Sequence, residues 1–204
     1  MHIYETPTYE MTLLVAVRNS KNISIGSDTL ASYTENGKTT YSTGFQKIFR
    51  LNKSTALMID GYFDGAMKQF VEDFVDRYKI KTDLDELCQL VLDSTTRPAI
   101  GQGQKIQFCF VGFTNNNPNV KIVTFKENNR SIRHMMTGKC FATGFKTPSE
   151  RAMELMNSSG VQNGLSTNQL QKLVKQTLEK CIKEFKDSES EKLGGNPDIF
   201  TLRK

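Results

Sequence analysis

Short apolar runs open the chain and then give way to a helical period. Residues 12–18 (TLLVAVR) and 23–28 (ISIGSD) are two runs joined by Asn19-Ser20-Lys21-Asn22, which predicts two strands and a turn. Asn36-Gly37 marks a tight turn inside residues 32–43. Residues 45–51 and 55–59 are the next two expected strands. From 64 to 78 the apolar positions Met67, Phe70, Val71, Phe74, Val75 and Tyr78 recur three and four apart, the stripe of an amphipathic helix. Asp83 and Glu86 resemble a cap ahead of Leu84, Leu87, Cys88 and Val91, and that second helix is expected to stop near Arg97-Pro98. Strands return at 105–114 and 120–126, separated by Asn115-Asn116-Asn117-Pro118-Asn119, and then at about 130–136 and 139–143. Thr147-Pro148-Ser149-Glu150 has the form of a capping box with proline at the first helical position. A long helix follows from 167 to about 187, striped by Leu170, Leu173, Val174, Leu178, Cys181, Ile182 and Phe185, and 198–203 closes the chain as a strand.

The order is therefore strands, two helices, strands, two helices, and one last strand. Helix pairs set between strand blocks do not suit a βαβ parallel sheet. They predict an α+β fold: two stacked antiparallel sheets with a helical layer on each outer face. There is no repeat, low-complexity tract or linker, and 204 residues fit a single domain able to bury its own core.

Composition narrows the function classes. Net charge is +5, with the lysines spread along helix faces rather than blocked together, a weak basis for nucleic-acid binding. No window approaches the ~18 continuous apolar residues of a membrane span. The N-terminus lacks the basic and apolar regions of a secretory signal, so a cytoplasmic protein is expected. Cys88, Cys109, Cys140 and Cys181 lie far apart with no metal-ligand spacing, as expected of reduced thiols and no metal site. Gly101-Gln102-Gly103 precedes a strand rather than a helix and is no phosphate loop, so no cofactor is expected. His134 stands alone near a strand end.

The candidate chemistry lies in Thr12, Asp28, Lys47, Asp187 and Ser190. A threonine hydroxyl needs a base. If the chain were cut to begin at Thr12, its own α-amine, with an ordinary pKa of about 7.7–8.0, could be that base. A lysine nearby would lower that pKa and stabilise negative charge on the hydroxyl oxygen, and Asp28 would hold the lysine in place. Asp187 and Ser190 could hydrogen-bond the amine, and backbone N–H groups around Asp60-Gly61 could receive an oxyanion. Taken singly, each of these residues also fits an ordinary structural place: a strand threonine, a turn aspartate, a solvated lysine, a fraying helix end.

Thr12 to Arg18, Ile25-Gly26-Ser27-Asp28, Gln46-Lys47-Ile48 and Ile59-Asp60-Gly61-Tyr62-Phe63-Asp64 together resemble the proteasome β-subunit family. Asp187-Ser188-Glu189-Ser190 before Gly194-Gly195 is similar to that family's Asp-x-x-Ser-Gly-Gly, with Glu191-Lys192-Leu193 inserted. Phe141-Ala142-Thr143-Gly144 is similar to its late Gly-Ser-Gly, Thr143 replacing the serine. The resemblance implies the four-layer αββα sandwich of an N-terminal nucleophile hydrolase. It makes residues 1–11 a candidate propeptide and 12–204 a single peptidase domain. It implies Thr12 as nucleophile, Asp28 and Lys47 as charge partners, and Thr143, Asp187 and Ser190 as support for the amine. Asp60 and Gly61 fall at the oxyanion position, and Ala31 and Met58 at an apolar specificity pocket. Polypeptide substrates, self-association into rings and an ATP-dependent unfoldase partner are implied too. Met11 stands before the cut where the family usually has glycine, so an unprocessed, non-catalytic ring subunit is the alternative.

Overall fold

The central strands of this chain are apolar on both sides, and the layering explains why. In the computed structural model, which describes residues 8–10, 13–35, 38–61, 63–94, 104–126, 129–134, 138–160 and 164–204 (backbone alone for 8–10, 33–35, 129 and 134), two antiparallel sheets stack face to face. The first has the order β11(Cys140–Gly144), β2(Leu13–Arg18), β3(Asn22–Ser27), β12(Asp198–Arg203). The second runs β10(Asn129–His134), β9(Asn117–Lys126), β8(Lys105–Thr114), β7(Ala56–Gly61), β6(Ile48–Arg50). A small third sheet joins β1(Thr8–Glu10), β4(Ala31–Glu35) and β5(Lys38–Ser42).

Side chains alternate across each strand. Leu14 and Ala16 of β2 meet Met58, Cys109, Val111 and Ile122 in the layer between the sheets. Leu13, Val15 and Val17 point the other way, onto α3(Lys146–Ser158) and α4(Thr167–Phe185). Leu57, Ile59, Phe108, Phe110 and Phe125 cover the outer face of the second sheet and pack on α1(Gly65–Tyr78) and α2(Leu84–Asp93). Three apolar layers between four structural layers make the αββα sandwich expected from the order of elements. Each fully buried Leu, Ile, Val or Phe contributes about 1.5–3 kcal/mol.

The helix starts are local chemistry. Asp64 accepts from the Met67 amide at 2.7 Å and Asp83 from the Asp85 and Glu86 amides, while Ser166 and Gln169 form a reciprocal capping box. The box expected at 147–150 is not used. α3 begins two residues earlier, with Phe145 at the cap and no side-chain cap bond. Pro148 then falls within the first turn, where its missing N–H has no intrahelical partner to lose. The Thr147 amide goes to Glu191 Oε1 instead, at 3.2 Å.

Further expectations are corrected. The loop expected at 115–119 shrinks to a two-residue turn: Asn115 and Asn116 both take positive φ (48° and 66°), and Asn117 and Pro118 already pair with Thr114 and Phe113. Pro118 lies beyond the described β10–β9 ladder, which ends at the His134–Lys121 pair, so among the described residues no β10 carbonyl needs an N–H from it. Residues 8–10 carry no strand signal in the sequence, yet Thr8–Glu10 pairs antiparallel with Ser32, Tyr33 and Thr34. The second helix, expected to run to about Arg97-Pro98, stops earlier, at Asp93, where Ser94 turns extended and caps the last turn with its amide on the Val91 carbonyl; the turn residues Asn36-Gly37 and the Gly101-Gln102-Gly103 segment lie outside the described residues. Among the described residues no helix is long and apolar enough to cross a membrane, and no cluster of His, Cys, Asp and Glu could hold a metal.

Candidate active site

Asp28 follows β3 directly and is fully buried under the start of β2. Its Oδ1 accepts from the Leu13 amide at 3.1 Å and from Lys47 Nζ at 2.7 Å. Its Oδ2 accepts from the Leu30 amide at 3.3 Å and the Gly194 amide at 3.4 Å. The Asp28 amide returns a bond to the Leu13 carbonyl at 3.3 Å. One carboxylate thus fixes the first described residue of β2, the buried lysine and the loop before β12 in a single arrangement.

Lys47 is also fully buried. Burial pushes its ammonium below the usual lysine range, against the pull of Asp28 and, less strongly, of Asp60. Breaking such a pair leaves an uncompensated charge indoors, so each partner fixes the other.

Thr12 lies with Met11 outside the described residues; the chain on both sides of them is placed. Glu10 ends β1 opposite Ser32, and Leu13 opens β2 between Ser27-Asp28 and Gly144. Thr143 pairs with Leu14 across β11 and β2, and its Oγ1 donates to Gln107 Oε1 at 3.4 Å. Gln107 Nε2 in turn reaches Thr124 Oγ1 at 3.0 Å.

Asp60 and Gly61 end β7. Gly61 has φ +101°, and a Cβ there would stand 2.1 Å from the Lys105 carbonyl oxygen, so the position requires glycine. The Asp60 side chain is buried, and Lys105 Nζ stands 3.7 Å from its Oδ2, beyond hydrogen-bond reach. Burial raises its pKa to about 6, with the Lys105 and Lys47 charges resisting.

The structure does not gather every residue the sequence suggested. The Asp187 side chain is 86% exposed and its carboxylate lies 3.8 Å from Lys186. Ser190 is exposed as well. The same loop brings in Gly194 instead. Leu193 is buried in the α3–α4 layer, its amide bonded to the Phe185 carbonyl, and the next residue lands on Asp28. Ala31 and Met58, placed by resemblance at a specificity pocket, are both sealed from solvent, Met58 within the inter-sheet layer. Sequence reasoning missed Gly194 as a donor, Lys105 beside Asp60 and Gln107 under Thr143. Only the Gly194-Gly195 pair left a signal, because Gly195 (φ +73°) turns against Thr29, where a Cβ would meet Oγ1 at 2.2 Å.

No protein-family model matches the sequence, and no curated protein matches it. Solved structures do. The eukaryotic HslV from Trypanosoma brucei superposes with a TM-score of 0.60 at 10% identity, over 95% of this chain and 100% of that one. Anbu (ancestral beta-subunit) from Yersinia bercovieri gives 0.57 at 16% identity, over 94% of this chain and 81% of that one. This chain has the fold of those two proteins across nearly its whole length, with the Asp28–Lys47 pair buried at the head of β2.

Proposed function

We propose that this chain is a threonine peptidase of the N-terminal nucleophile type, cutting unfolded polypeptide inside a ring of its own copies in the cytoplasm, fed by an ATP-dependent unfoldase. The observation that carries the proposal is the buried Lys47–Asp28 pair bonded to the Leu13 amide, one residue after Thr12, on an HslV-like fold.

The chemistry has two stages. In processing, Thr12 Oγ adds to the Met11 carbonyl carbon, its proton passing to the departing Thr12 nitrogen. The peptide bond becomes an ester, and water hydrolyses it to a Met11 carboxylate and a free Thr12 amine. In turnover that amine takes the hydroxyl proton as Oγ attacks the scissile carbonyl, then gives it to the leaving amine. Water, deprotonated by the same amine, releases the acyl group. Lys47 lowers the amine pKa by like-charge repulsion and stabilises charge on Oγ. Asp28 holds Lys47 in register. The backbone at Gly61 receives the oxyanion, and Thr143 supports the amine. Asp187 and Ser190 take up this supporting role only if a neighbouring copy or Thr12 itself draws their loop inward.

Intact-mass measurement of the purified protein tests the reading. Loss of residues 1–11, together with hydrolysis of fluorogenic peptides, is expected; Thr12→Ala should abolish both. A wild-type chain that keeps Met1–Met11 through prolonged incubation and hydrolyses nothing sinks it. The pairing of Thr8–Glu10 with β4 favours a second reading, an unprocessed structural subunit whose leader is part of the fold. That reading expects rings that behave identically with Thr12 or alanine.

A further inference from the structure

The Asp60 carboxyl serves no step above, yet it is buried in the charged cluster. The Ile59 amide donates to the Lys47 carbonyl at 3.0 Å, which sets the end of β7 beside Lys47. Ala56 and Met58, on the same face of β7, are apolar members of the inter-sheet layer. A strand under purely structural demand would continue that pattern, since a buried carboxyl is costly. Asp60 Oδ2 is completely sealed and has no hydrogen-bond partner among the described residues. Lys105 of β8 stands 3.7 Å from it, and the charges of Lys47 before β6 and Asp28 after β3 act on it as well; its own charge acts on the Cys109 thiol of β8, which burial pushes well up. On β1, near β7, Glu10 carries the remaining carboxylate, its side chain outside the described residues.

We propose that Asp60 is a positioning residue for Lys47: with Asp28 it forms a two-carboxylate clamp that keeps the buried ammonium charged, while Lys105 at the rim competes for the same carboxylate. The clamp deepens the peptidase reading, resting on it for the catalytic use of Lys47 but not for the charge coupling. Lys105 is 43% exposed along its side chain, so its removal perturbs the cluster without opening the core.

The test follows the Lys47 titration in full-length protein carrying 13C- and 15N-labelled lysine, the Lys47 signal being identified by its loss in Lys47→Arg. In Asp60→Asn the titration is expected to move to lower pH. In Lys105→Met it is expected to move to higher pH, because Lys47 then has Asp60 to itself and loses a nearby like charge. The alkaline limb of peptide hydrolysis should move with it in both variants. A Lys47 titration unmoved in Asp60→Asn, or moved the same way in both variants, overturns the clamp. If Asp60→Asn does not fold, Lys105→Met decides alone: an upward shift supports the clamp, and no shift or a downward one defeats it. A protein whose lysine titrations shift in these opposite directions but which hydrolyses no peptide keeps the clamp and loses the peptidase reading.

Discussion

Burial holds the Asp60 carboxyl at about 6, where an ordinary aspartate sits at 3.8. The folded state therefore binds more protons than the unfolded state between about pH 4 and 6. Stability from this group is greatest below pH 4 and is lost as pH rises to 6. A shift of about two units at about 1.4 kcal/mol each amounts to roughly 3 kcal/mol. Asp60→Asn should match wild type near pH 4 and grow more stable relative to it as pH rises, by up to about 3 kcal/mol at pH 7. Urea unfolding at pH 4.5, 5.5 and 7 measures that gap, and a gap that does not widen with pH contradicts it. Asp28→Ala should act in the opposite sense, destabilising by about 3–5 kcal/mol because Lys47 is left buried without its nearest partner. Asp28 and Lys47 were legible in the sequence because strands fixed the distance between them and the start of β2. Burial was not legible: nothing in the run around Lys47 separates a lysine reaching solvent from one sealed inside. The exposed placement of Asp187 and Ser190 was not legible for a related reason. Motif spacing was carried across an insertion, and one buried apolar residue within it, Leu193, decided which backbone atom reaches Asp28.

That loop is an element in its own right, running from the end of α4 to the start of β12. It is tied by the Ser188 and Leu193 amides to the Phe185 carbonyl, by Gly194 to Asp28 and by the Thr29 amide to the Gly194 carbonyl. Gly195 makes the turn possible. Gly195→Ala places a methyl group 2.2 Å from Thr29 Oγ1 at a φ of +73°, so either Thr29 or the loop must move. We expect a loss of about 1–3 kcal/mol and a fall in peptide hydrolysis larger than that instability explains, read by urea unfolding alongside kcat/KM at a temperature where the variant is fully folded. Unchanged turnover would show that the Gly194 contact is dispensable. Helix stripes and strand runs were readable here because period and burial coincide. Turn chemistry was less so. Asn115-Asn116 takes a two-residue hairpin geometry that five loop-forming letters in a row concealed, and β1 is too short and polar to announce itself without its partner β4.

At the scale of the whole molecule, the alternation of strand blocks and helix pairs carried the architecture, because each sheet needs both faces covered and the helices come in pairs to do it. What that order does not carry is whether the chain is cut between Met11 and Thr12. Residues on both sides of Met11-Thr12 are held, by β4 before and by Asp28 after, so cutting would release one anchored strand without loosening β2. Failure to process and failure of chemistry would look alike in the full-length chain. They separate if the protein is produced as a ubiquitin fusion from which a deubiquitinase releases a chain starting at Thr12. The amine is then free from the outset, β2 keeps its bonds to Asp28, and β4 loses its three-residue pairing with β1. Hydrolysis of fluorogenic peptides without any lag is expected, falling as pH drops through the amine's pKa, and Lys47→Ala should reduce it by at least about 100-fold, as loss of one electrostatic stabiliser does elsewhere. A folded, ring-forming chain that starts at Thr12 and turns over nothing would assign the molecule to structure rather than catalysis, because the hydroxyl, the free amine and the Asp28–Lys47 pair would then be present together and idle.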